Sequence, residues 1–420
     1  VPAEILSEPP RLRTLNPALP KKVELRRFPY PHRAMLAVCS DLDETPDAET
    51  YFELMRFLNT TEETSMGSGV GLEVGNSIYF DMPPDQFAYW NTSDAGREML
   101  RTLIRSGHID CLHSFGDLAT TRAHAARAWE ELGRHGLALK VWVDHAVATT
   151  NFGTDIMQGH GGEPGHPAYH ADLTLAAGIR YVWRGRVTSI VGQDRPVHIG
   201  KWNSGFVPGA SVRTKSKEAA KHVLGRLAKG KYAFHAGNRL CRPVELRDGH
   251  SVTEFMRCNP HPAGVEFGDT GHGISEVLTR EFLDRLVERN GCSVIYTHLG
   301  KLRGSRTFGE ESARGFQLLA EYGRRGEILT ATTQRLLEFH EASRTASCSL
   351  IGHENNAKLE IELPAHAQPD GLTFYAETLG TVTATLNGNE TDVVINPPDE
   401  TGRRSVSIPF TRLSFPSCKP

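Results

Sequence analysis

The chain lacks any apolar run long enough to cross a membrane. Its longest, at 35–39 and 294–296, are strand-length, far short of the roughly 20 residues a spanning helix needs, so no membrane span is expected. A surplus of charge is missing too. Lys and Arg number 47 against 50 Asp and Glu, a net charge of −3, without the basic footprint of a nucleic-acid partner. Cysteine is sparse and odd in number, seven with no CxxC pair, which argues against a disulfide framework and a zinc ribbon alike. Buried free thiols in a reducing compartment are expected instead. The stretch 1–6 has no charged start and apolar run, so no signal peptide is read there. A cytoplasmic setting is expected ahead of a secreted or periplasmic one, which a trimmed N-terminus would allow. Repeats and low-complexity tracts are absent.

What is present is a rhythm. After a proline-rich, irregular arm over 1–33, short apolar runs alternate with helical patterns. Strands are expected at 34–39, 109–112, 139–144, 179–183, 231–234 and 293–297. Helices are expected at 48–58, 93–106, 120–135, 217–228 and 275–290. This alternation indicates an α/β fold with a parallel sheet, and its persistence over 34–342 fits a (β/α) barrel. From 343 to 420 apolar and polar residues alternate without helix, with Asn-Gly and Pro-Pro punctuation, the pattern of a small antiparallel β appendage.

In such a barrel the chemistry collects where the strands end. Ser40-Asp41-Leu42-Asp43-Glu44 follows the first strand, and His113-Ser114-Phe115-Gly116-Asp117 the second. His145 ends the third, with Asn151 nearby; Trp183-Arg184, His235 and His298 stand at the others. Two carboxylates at one strand end invite a metal or a shared proton, although a solvated acidic turn capping the next helix is the plainer reading of that pair. Asp43, His113 and Asp117 make an Asp-His-Asp donor set suited to zinc, with a position left for water. His298 has the chemistry to protonate a leaving nitrogen. Arg184, Asn151, His235, Arg257 and Trp183 are candidate substrate contacts. The glycine-rich stretch 67–75 lacks the Lys-Ser/Thr of a phosphate loop and is discounted. The loop 259–273 reads as a surface loop, with a lid over the site as the alternative.

These residues in this order resemble the polysaccharide deacetylase (NodB-homology, carbohydrate esterase family four) superfamily, in a divergent branch. The motif "CSDLD" maps Asp41 to the family's base and Asp43 to its metal ligand, and "VIYTHLG" maps His298 to its acid. "HSFGD" supplies His113 but places Asp117 where a second His usually stands, with His145 the substitute to consider. "VWVDHAVATTNFG" occupies the place of the third motif, so His145 and Asn151 take over substrate contacts, while Trp183 corresponds to an aromatic wall. The resemblance implies a distorted barrel of about seven strands, a divalent metal (often zinc) and removal of an N-acyl group from an amino sugar or polysaccharide. Two other readings are kept: an amidohydrolase acting on a non-sugar cyclic ureide or imide, and a catalytically degenerate glycan-binding barrel.

Overall fold

The computed structural model describes residues 21–42, 44–227, 230–353, 356–376 and 381–420. It is a mixed α/β structure built on a curled, largely parallel sheet. The central strand, β1 (Ala34–Ser40), is buried at all seven positions, which is why its sequence is apolar from Ala34 to Cys39 rather than alternating. Its side chains still divide by the two-residue period of a strand. Ala34, Leu36 and Val38 pack in the core that holds most helix-borne apolar residues, while Met35, Ala37 and Cys39 join Cys111, Val141, Val143, Tyr181 and Trp183 in a second cluster.

From β1 the sheet runs in parallel through β2 (Gly75–Ile78), β3 (Ile109–His113), β4 (Val141–Val143) and β5 (Tyr181–Trp183). On the other side of β1 lies β8 (Cys292–Thr297), in register over six residues, from Cys292 beside Met35 to Thr297 beside Ser40. Two segments separated by Met256 carry the curl onward. Strand β6 (Ser251–Phe255) pairs with β5, and β7 (Arg257–Cys258) pairs with β8. Strand β9 (Ile328–Thr330) completes the N-terminal half of β1.

Helix starts follow local capping chemistry. Asp47 accepts the Thr50 amide at 2.8 Å to open the helix Ala48–Asn59, so neither Asp41 nor Asp43 is needed for that cap. Ser93 and Thr279 do the same for the helices Asp94–Arg105 and Arg280–Glu288.

Three expectations are corrected. The stretch 231–234 is not a strand; a short helix, Ala233–Ala236, takes its second half, because so short an apolar run carries no decisive period. The arm 1–33 is not irregular throughout. Of its described part, Lys21–Lys22 and Glu24–Leu25 pair with Ser347–His353 and Thr373–Tyr375, covering edges of the C-terminal β sheets. That β region is also not wholly antiparallel, since Asn356–Glu362 and Thr381–Leu386 run parallel.

At Gly75 in β2 the neighbouring residues leave no room for a side chain. A Cβ there would stand 2.3 Å from Asp110 Oδ1 and 3.1 Å from Thr332 Cβ. Gly75→Ala is expected to lower stability by about 1–3 kcal/mol in urea unfolding, the usual cost of overpacking; an unchanged midpoint would refute that close fit.

Candidate functional site

The inward parity of each strand continues past its end. Cys39 leads to Asp41, Cys111 to His113, Val143 to His145, Phe255 to Arg257 and Val294 to Tyr296 and His298. Side chains two apart share a face, so five strands send their next inward residues toward one end of the curl. Asp43, the expected metal ligand, lies outside the described residues.

Asp41 and Arg257 form the centre. Both are essentially buried. Arg257 donates through Nη1 to Asp41 Oδ2 at 2.7 Å and through Nη2 to Oδ1 at 3.0 Å. The guanidinium also lies 4.1 Å from the ring centre of Trp183 and 5.5 Å from that of Tyr296, a cation–π arrangement in a dry setting. Burial opposes ionisation of Asp41, but Arg257 outweighs it, aided by His113 and His298, and the carboxyl is held well below the usual carboxylate range. Trp183 therefore supports Arg257 from below, fully buried, and is not an exposed wall for a sugar ring.

His113 is positioned from two sides. Its Nδ1 lies 3.3 Å from Asp41 Oδ1 and 3.0 Å from the Ser77 hydroxyl, which itself donates to Asp41 at 3.0 Å. Its ring stacks on Tyr79, with centroids 4.5 Å apart, and meets the His145 ring edge-on at 4.9 Å. His145 is held between Tyr79, whose hydroxyl lies 2.9 Å from Nδ1, and Asp117, whose Oδ1 lies 3.1 Å from Nε2. Thus Asp117 and His145, the two candidates for a third ligand, stand together. The backbone is bent for this purpose. Ser114 and Ala146, each one residue past an imidazole, adopt φ of 45° and 38°, left-handed values that are strained for residues with a Cβ.

Asn151 is what holds the second bend. It is buried, its Oδ1 accepts the His145 amide at 2.9 Å, and its Nδ2 donates to the His145 carbonyl at 3.0 Å. With the side chain spent on backbone, it positions His145 and does not serve as a substrate contact. Asp144 anchors the same loop, accepting from Trp142 Nε1, Phe152 N and Gly153 N at 2.7–2.9 Å. Burial pushes its carboxyl up to about 7 against those three hydrogen bonds.

His298 stands beside the loop 259–273. Its Nδ1 faces the Asp269 carbonyl at 3.1 Å and the Asp269 carboxylate at 3.6 Å, and its Nε2 lies 3.4 Å from the Tyr296 hydroxyl. Thr270 makes a parallel bridge to His298, so this loop is packed against a candidate residue.

Arg184 and His235 go elsewhere. Arg184 has the opposite parity from Trp183 and bonds Glu254 at 3.1 Å, a buried carboxylate also clasped by Arg242 at 2.7 and 2.8 Å. His235 is buried 3.9 Å from Glu218 and is pushed down to about 3 by burial, with Lys221, Arg186 and Arg242 adding. Arg184 thus belongs to the Glu254 ion network and His235 lies beside Glu218, so neither joins the inward series as a substrate contact would. Ser77 and Tyr79 were missed because β2 was not recognised; their two-residue spacing before a Phe was the available signal.

No family model, curated protein or solved structure matches this chain. The assignment of chemistry therefore rests on the residues. Among the described residues, no three His, Cys, Asp or Glu side chains form a group that could hold a metal ion. The donor chemistry around His113 nevertheless fits one. A carboxylate oriented on Nδ1 is the usual outer partner of an imidazole that ligates through its other nitrogen.

The Asp41–Arg257 pair makes a signed prediction. A carboxyl whose folded pKa is depressed contributes stability above its unfolded value, about 3.9, and loses it as pH falls toward the folded value. Asp41→Asn should cost about 3–5 kcal/mol at neutral pH by stranding a buried guanidinium, and should flatten the acid limb of the stability curve below about pH 4. Parallel acid limbs in the two proteins would contradict the assignment.

Proposed function

We propose that the chain is a metal-dependent hydrolase of the polysaccharide-deacetylase type, removing an N-acyl group from an amino sugar on a distorted, seven-stranded (β/α) barrel. The barrel reading is supported by the segment 251–258, whose first half pairs with β5 and whose second half pairs with β8. The functional reading is carried by one observation: a buried, arginine-clamped carboxylate, Asp41, in contact with the imidazole of His113 at the mouth of the inward series.

In this account Asp43, His113 and either Asp117 or His145 would hold a divalent cation, zinc by the preference of imidazole and carboxylate donors. When bound, that ion would acidify a water molecule and polarise the acyl carbonyl. Asp41 accepts the proton of the attacking water, and Arg257 keeps it charged and fixes both oxygens, at the expense of basicity. Ser77 and Asp41 orient His113 through Nδ1. His298, braced by Asp269, supplies the proton to the departing nitrogen as the C–N bond breaks, leaving a carboxylate and an amine.

Acetate release from an N-acetylglucosamine oligomer, with zinc added to the full chain, tests this. Wild type should turn over, while Asp41→Asn and His298→Ala should each lower kcat by about 10²–10⁴-fold, the range for lost acid–base catalysis. Absence of acetate from wild type on N-acetyl amino sugars, or full activity in both variants, would overturn the proposal.

A further inference from the structure

The end of the sheet opposite Asp41 holds a cavity of about 340 Å³. It lies where β1 and β8 begin, at Met35 and Cys292, between the segment 25–28 and the helix Thr333–Thr345. Its volume falls within the range of small-molecule sites. Its apolar side is built by Phe28, Met35, Leu336 and Phe339, and its polar side by Arg27, Arg344 and Asp194.

Among the described residues, charge in this cavity is unbalanced. Asp194 is the carboxylate in its lining, and that group is already engaged by His340 Nε2 at 2.5 Å and the Leu240 amide at 3.1 Å. Among the described residues, Arg27 donates through Nη2 to the Asp194 main-chain oxygen at 3.1 Å and lies over the Phe28 ring, 5.4 Å from its centre, while its Nε is out of solvent with no hydrogen-bond partner. More guanidiniums crowd behind. Arg195 is held below its usual range by burial and then by Arg27, and Arg289 is brought down to about 10 by burial, Arg285 and Arg195. Guanidiniums that line one cavity with a single, already committed carboxylate among the described residues are relieved by an anion.

We propose that this cavity is a second binding site, for a small organic anion whose carboxylate pairs with Arg27 and Arg344 and whose apolar body lies on Met35, Leu336 and Phe339. The site joins the arm, the sheet and the helix Thr333–Thr345, which leads directly into the C-terminal β strands. An occupant would therefore fasten the two regions together. It is independent of the hydrolase reading, being at the other end of the strands and read by binding.

Isothermal titration calorimetry of the full chain with octanoate tests it, beside octan-1-ol (the body without the charge) and inorganic phosphate (a charge without the body). The proposal expects saturable octanoate binding near one per chain, weakened about tenfold or more by Arg27→Gln and by Arg344→Gln, an effect of about 1.4 kcal/mol or more. Circular dichroism melts of both variants, matched to wild type without ligand, establish that they fold. If one does not fold, the other decides. No octanoate binding, equal binding to a folded variant, or equal binding of octan-1-ol or phosphate would each overturn the stated ligand class.

Discussion

Burying a carboxylate and a guanidinium together costs several kcal/mol per ion unless the pair is well made, and Asp41 and Arg257 meet that condition across 216 residues of chain. Much of the surrounding architecture satisfies this constraint. Strand β8 lies between β1 and β7, which places the two ends in reach. Trp183 and Tyr296 cover the guanidinium face where water would otherwise sit. Cys39, the inward residue before Asp41, takes an Nη2 contact at 2.9 Å. Ser77 and His113 then both meet Asp41 Oδ1.

Around that anchor the imidazoles are held by loops under local strain. The left-handed turns at Ser114 and Ala146 send the chain back so that Asp117 meets His145, though they leave from neighbouring strands. Asn151 and Asp144 hold the second turn by spending buried polar groups on backbone amides and carbonyls. Such strain persists only where the surroundings over-determine it, and it collects at functional sites. Outside the inward series a separate set of ion pairs, centred on Glu254 and Asp155, ties Arg184, Arg186 and Arg242 together. The two networks differ by one position in the strand, yet only the first faces the proposed site.

That one-position difference also decides what was legible in the sequence. The long strands at 34–40, 109–113 and 292–297 were readable because they are buried on both faces and largely apolar. Helices with a sharp cap and a regular apolar stripe, such as Ala48–Asn59, were readable nearly to the residue. Strand β2, with one large apolar residue in four, and the broken segment 251–258, with Glu254 and Arg257 inside it, were not. Tertiary pairing makes them strands, not their composition. Asp41, His113, His145 and His298 were visible as residues following strands. Arg184 was misjudged because adjacency was read without parity, and Asn151 because a buried amide serving a loop looks, in sequence, like one facing a substrate.

The central claim is that the inward series ends in a divalent-metal site next to the Asp41–Arg257 pair. Anomalous diffraction from zinc-soaked crystals, collected on both sides of the zinc edge, tests it most directly. One strong peak is expected in contact with His113 and with Asp117 or His145, adjacent to Asp41. Zinc bound only away from His113, or no peak in crystals that take up the ion nowhere, would contradict it.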